Sequence, residues 1–158
     1  MIEAVCHHCA TKLKIQHVVI DSLMKCVPGE DSYNEQKDFV NRLTSIARDH
    51  DIHIHLVHHI RKLSSEEVRP SKSDLRGSSS ITDQVDNVLI LWRNKKKQHS
   101  MERGESVDPM TPDAYLMCEK QRNGEQEPWF EFYFHPDSQQ FIDRYNGFPI
   151  EFDLKGDF

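Results

Sequence analysis

The stretch DLRGSSSITDQVDNVLILWRNKK, residues 74 to 96, follows HVVIDS and IHLVHHIRK in a chain that contains no phosphate-binding loop. Apolar runs of strand length separated by helical and polar segments require a layered α/β architecture. The missing loop can be checked residue by residue. A phosphate loop needs glycines whose backbone N–H groups cradle phosphates, then a Lys for the β/γ-phosphates and a Ser or Thr for the metal. None of the six glycines (Gly29, Gly77, Gly104, Gly124, Gly147, Gly156) is followed by Lys. If the fold is that of an ATPase, the expectation is that its first strand and phosphate loop lie upstream of Met1, or were never present.

Helix and strand alternate along the chain. Ile2, Val5, Cys6, Cys9 and Leu13 fall at helical spacing, which predicts an amphipathic helix over 2–14 leading into the strand HVVI. Pro28 and Gly29 break the turn-rich segment VPGEDSYN. Phe39, Val40, Leu43, Ile46 and Ala47 mark a helix over 34–49, and IHIHLVHH reads as a second strand with polar residues at alternate positions. Residues 61–74 form a polar loop; with Arg76 at its exit it carries Arg61, Lys62, Arg69 and Lys72. SSSITDQV is a short helix capped by one of its serines, and NVLILW is a third strand. RNKKKQHSMERGESVDPMTPD, charged and with two prolines, is expected to be an exposed, mobile loop. AYLMCEKQR, WFEFYFH and QQFIDR then read as three short strands. A βαβ core with a small antiparallel extension results, and the tail YNGFPIEFDLKGDF has no clear period.

A chain of 158 residues is long enough for one domain with a real core. The net charge of −6 argues against a generally basic surface, so any nucleic-acid contact has to come from local Lys and Arg clusters. Four cysteines without a signal peptide, and no apolar run near the ~20 residues that a membrane span needs, point to a reduced, cytoplasmic setting and no membrane partner.

Several residues are candidates for chemistry. HVVID places Asp21 at the carboxyl end of a buried strand, where open α/β sheets bind ligands and where a carboxylate can hold Mg²⁺ through water beside a triphosphate. Against this stands the reading of Asp21 as a strand-end turn residue. His59 ends the next strand, where a polar side chain can touch a γ-phosphate; His58 reads better as a partly buried histidine satisfied by backbone, and His53 and His55 as a solvated edge. Cys6 and Cys9 supply two of the four ligands a structural zinc needs and fall on the apolar face of their helix, so they read as buried structural cysteines.

HVVIDS, HLVHHIRK, DLRGSSSITDQVDNVLILWRN and EKQRNGE, in that order, resemble the successive motifs of the RecA-like motor domain of hexameric replicative DNA helicases: DnaB helicases, the mitochondrial helicase Twinkle and the helicase half of phage primase-helicases. The resemblance covers roughly residues 2–143, leaving 144–158 as a tail, and the phage type is favoured because His59 stands where DnaB relatives usually carry Gln. The resemblance implies an α/β RecA-like P-loop NTPase core, incomplete at its first strands, with a C-terminal antiparallel extension. It implies that Asp21 is the Walker B carboxylate, holding Mg²⁺ through water, and that His59 is the γ-phosphate sensor. Arg61, Lys62, Lys72 and Arg76 would touch the phosphates of single-stranded DNA in a central channel. Lys120 and Arg122 would reach the ATP of a neighbouring subunit in a ring hexamer. The departure from the pattern is large, because the phosphate loop and the catalytic glutamate of the preceding strand are both absent from this sequence.

The sequence therefore reads as the C-terminal part of an ATP-dependent 5′→3′ replicative helicase of bacterial, phage or prophage origin, with primase and other replication proteins as partners and no activity expected of this chain alone. Two alternatives are a RecA-like ATPase without an unwinding role, and a non-catalytic remnant that binds DNA or docks to a complete helicase.

Overall fold

The computed structural model describes residues 1–29, 31–76 and 80–151. They form two compact units. The first comprises 1–63 and 70–88, the second 64–69 and 89–158 within the described range.

The first unit begins with α1 (Ile2–Thr11), which leads into β1 (His17–Asp21). The helix stops short of the expected residue 14: Thr11 turns its hydroxyl back onto the His7 carbonyl, and Lys14 takes a left-handed φ of 57°. After β1 and a short α2 (Leu23–Cys26) comes α3 (Tyr33–His50), one residue longer at each end than its apolar spacing predicts. Asp51 closes it in the left-handed conformation, where a short polar side chain is tolerated. Next, β2 (His53–Val57) pairs with β1 in parallel, in a register running from His17 opposite His53 to Asp21 opposite Val57. This is the expected βαβ unit. The inner face of the two strands, with Val18, Ile20, Ile54 and Leu56, packs with Cys6, Leu23, Phe39, Val40 and Leu43. Ile81 from α4 (Ser80–Gln84) joins the same core. Glu3 and Arg42, 2.6 Å apart, tie α1 to α3 at the surface. The α4 segment agrees with the predicted short helix, while Ser78 and Ser79, two of its candidate caps, lie outside the described residues.

The second unit is built on a four-stranded sheet in the order β3 (Asn87–Arg93), β4 (Ala114–Gln121), β5 (Trp129–His135), β6 (Gln140–Ile142). The third strand of the sequence reading thus belongs with the antiparallel extension. Its burial explains why: Val88 and Ile90 are buried while Leu89 and Leu91 are exposed, which suits a one-sided sheet rather than a strand covered on both faces. β4–β5 and β5–β6 are antiparallel, with Ala114 opposite Phe132 and Tyr133 opposite Ile142. The expected mobile loop over 93–113 is a correction: Lys95–Glu102 form α5. Asn94 caps it by accepting from the Lys97 amide at 3.1 Å and donates to the Pro112 carbonyl at 3.0 Å. The Lys97 ammonium, only 9% exposed, sits 2.7 Å from the Asp113 carboxylate and donates to the Thr111 carbonyl. The described part of the tail is stitched to β6, since the Gln140 amide donates to the Ile150 carbonyl and accepts from its N–H.

Candidate functional site

The parallel register sets the first half of the site. Because Asp21 lies opposite Val57, the carboxyl ends of β1 and β2 meet at one edge, and His59 follows Val57 by two residues in the chain. Asp21 and His59 are both exposed. Ser22 and Leu23, immediately after Asp21, are buried and anchor the strand end, and the Asp21–Ser22 peptide is cis. An exposed carboxylate here suits the outer, water-mediated coordination that Mg²⁺ prefers. The sequence supplies no phosphate loop to accompany Asp21, since none of its glycines is followed by Lys. Among the described residues, then, this edge offers one exposed carboxylate and one exposed imidazole after neighbouring parallel strands.

The basic loop is closed at its neck. Ile60 and Leu75 form an antiparallel bridge, the Arg61 amide donates to the Asp74 carbonyl at 2.8 Å, and the Arg76 amide donates to the His59 carbonyl at 3.0 Å. The Arg61 guanidinium adds two bonds to Asp74, at 2.7 and 3.1 Å. Asp74 also takes the Ser71 amide and hydroxyl on its other oxygen, each at 3.0 Å, in a capping box around the Lys72–Asp74 turn. The Ser71 amide first, then Arg61 and the Ser71 hydroxyl, hold the Asp74 carboxyl below its usual range. Asp74 is the residue missed in the sequence; the pattern Ser71-x-x-Asp74 is the signal that could have found it. His58 turns inward and its Nε2 bonds the Arg76 carbonyl, which agrees with the backbone-satisfied reading of this histidine. The inward turn is also why β2 ends at Val57 rather than at residue 59. Lys62 and Lys72 are both exposed.

Lys120 lies in β4 and Arg122 in the exposed turn that follows it. The Cys118 thiol donates to the Lys120 carbonyl at 3.4 Å. On the outer face of β1 and β2, His17, His53 and His55 form a ladder with ring centroids 4.3–5.6 Å apart, exposed as a solvated edge would be. Cys6 is buried and Cys9 half-buried; burial foremost, with Cys9 adding, pushes the Cys6 thiol up and away from the thiolate that a metal would need. Among the described residues no group of three or more His, Cys, Asp or Glu side chains is arranged to hold a metal, and no helix is long and apolar enough to cross a membrane.

The family model of the DnaB-like helicase C-terminal domain matches residues 1–143. This chain belongs to that family. In fold it is similar to a solved DnaB-like replicative helicase, studied with its interactions with primase, at a TM-score of 0.67 and 20% identity. The match covers 89% of this chain and 33% of the solved one, so this domain segment spans about a third of that helicase. No curated protein sequence matches the chain. The α/β reading and the RecA-like resemblance are thereby borne out, with parallel and antiparallel sheets both present.

Proposed function

We propose that the DnaB-like segment is the sensor, DNA-loop and finger portion of an ATP-dependent replicative helicase that moves 5′→3′ on single-stranded DNA as a ring hexamer. One observation carries the reading: His59, two residues past the end of β2, is hydrogen-bonded through its carbonyl to the Arg76 amide at the exit of the basic loop. A side chain that meets the γ-phosphate and a loop that meets DNA then share one backbone ladder, so a shift at the first is passed to the second without an intervening flexible link. Asp21 would hold Mg²⁺, and ATP with its metal would supply the phosphoryl chemistry when bound. Arg61, Lys62, Lys72 and Arg76 take DNA phosphates, with Arg61 steadied by Asp74. Lys120 and Arg122 act on the nucleotide of the neighbouring subunit, where developing charge on the phosphoryl oxygens calls for a cation. Partners on this reading are single-stranded DNA, further copies of the subunit and replication proteins, with primase foremost because a helicase of the same fold has been solved with its primase interactions in view.

Salt dependence tests the DNA arm. Binding of the chain to single strands is expected to weaken with salt at a slope of about −0.7 per phosphate neutralised. Replacing Arg61, Lys62 and Lys72 together by Ala is expected to flatten that slope by about 2, three contacts at the same coefficient. An unchanged slope moves the DNA contact away from this loop.

A further inference from the structure

Arg69 lies in the middle of the basic loop, yet neither the resemblance nor the family match gives it a role. Its guanidinium carbon stands over three aromatic rings, 4.6 Å from the centroid of Trp129, 5.0 Å from Tyr115 and 5.4 Å from Trp92. Trp92 and Tyr115 are themselves stacked, 5.7 Å apart and inclined by 28°. Among the described residues the guanidinium makes no hydrogen bond or ion pair. The nearest acid in sequence on its own segment, Glu67, is engaged by His99 at 2.9 Å. Arg69 is exposed, and Trp129 keeps 48% of its surface open.

The rings surround the guanidinium carbon at cation–π distance, a contact that by itself uses none of an arginine's N–H donors. What remains is a planar fork whose donors have no partner among the described residues. An arginine fixed in that way loses little further freedom on meeting a phosphate, and the exposed indole beside it offers a base a surface on which to stack.

The geometry points to a second single-strand contact, in which Arg69 takes a phosphate and Trp129 stacks the adjoining base. It rests on the single-stranded DNA reading above and adds to it a contact with bases, which the lysines and arginines of the loop do not supply.

The chain contains only two tryptophans, Trp92 and Trp129, and both belong to this cluster. Their emission therefore reports on it alone. A labelled oligothymidylate is titrated into the whole chain while its anisotropy and the tryptophan emission are followed together. The expected result is quenching in step with binding. An abasic strand of the same length should bind without the quench. Trp129→Phe should remove most of the quench, and Trp129→Ala should raise Kd at least about fivefold, the lower end of what one stacked base contributes. Arg69→Ala should flatten the salt slope by about 0.7, the value of one phosphate, and Arg69→Lys should not restore full affinity because it lacks the fork.

Binding with unaltered emission overturns the proposal, as does an Arg69→Ala chain that melts earlier but keeps its Kd and slope, which is the signature of a purely structural clamp. Emission that responds to a basic peptide and not to the oligonucleotide would reassign the cage to a protein partner. If no oligonucleotide binds by anisotropy at all, the DNA reading falls with it; if binding and its dependence on Arg61, Lys62 and Lys72 persist without a quench, only this inference falls.

Discussion

His58 shows how one side chain can set the pH range of the loop neck. Its Nε2 is spent on the Arg76 carbonyl and its Nδ1 is buried without a partner among the described residues. Burial foremost lowers its pKa below the ordinary 6.5, with His59 and Arg76 adding and the bond to the Arg76 carbonyl opposing. A histidine whose folded pKa is depressed favours the folded state while neutral. That contribution is complete above the unfolded value near 6.5 and is lost as pH falls through the lower folded value. The amides of Arg61 and Arg76 should therefore exchange faster at pH 5 than at pH 7 after correction for intrinsic rates, and His58→Gln, which retains an N–H donor, should abolish that difference. Equal protection at both pH values in the parent chain would show that His58 does not govern the neck. Asp74 works in the same direction at lower pH. Its carboxyl is held down by Ser71 and Arg61, so its support is present above the ordinary carboxylate range and is lost as pH falls below it. Asp74→Asn should open the loop to proteolysis near Arg61 and Arg76 while leaving the helices of the first unit intact by circular dichroism.

At the scale of elements, legibility followed the source of each element's stability. The α3 helix shows in the sequence because Phe39, Val40 and Leu43 repeat at helical spacing and are buried, together with Gln36 one turn earlier. β5 shows because seven residues rich in aromatics run between turn formers, and it is observed at Trp129–His135. α5 does not show. KKKQHSME has no apolar period, and what holds it is polar: the Asn94 cap and the contact of Lys97 with Thr111 and Asp113, residues that only the fold brings near. The site divides in the same way. Asp21 could be placed because the end of β1 is visible in the sequence, while His59, read as the end of β2, falls two residues past it; the bracing of Arg61 by Asp74 and the seating of Arg69 near three rings depend on loop closure and sheet register. The α5 argument can be tested. Lys97→Met should destabilise the second unit by about 2 kcal/mol, in the range of hydrogen bonds to charged groups, because it leaves the Asp113 carboxylate without its cation. Urea unfolding followed by tryptophan emission reads this directly, since both tryptophans belong to that unit. A midpoint unchanged from the parent would mean that α5 is not anchored through Lys97.

For the whole molecule, the decisive property is which parts of a nucleotide site one chain can supply. Here Asp21 ends β1 and His59 follows the end of β2, no glycine of the sequence is followed by the Lys of a phosphate loop, and Arg122 lies in the turn after β4. The chain by itself should show no DNA-stimulated ATPase; turnover near the enzymatic norm of roughly 1 per second or more, abolished by Asp21→Ala, would refute that. In a complete helicase carrying this segment, Arg122 is expected to act on the neighbouring subunit's nucleotide. A cation that meets only the transition state contributes little to ground-state binding and much to rate. Arg122→Ala should therefore leave nucleotide affinity nearly intact while lowering hydrolysis by about 10³-fold or more, the range seen for arginine fingers in related phosphoryl transfers. Mixed with Asp21→Ala subunits, it should regain part of the activity, because some interfaces then pair an intact Asp21 with an intact Arg122 across the boundary. An arginine acting within its own subunit gives no such rescue, since every chain in the mixture then carries one defect at its own site. Hexamers that form at every mixing ratio yet show no recovery would place Arg122 in cis, and parental rates in the single variant would remove it from catalysis altogether.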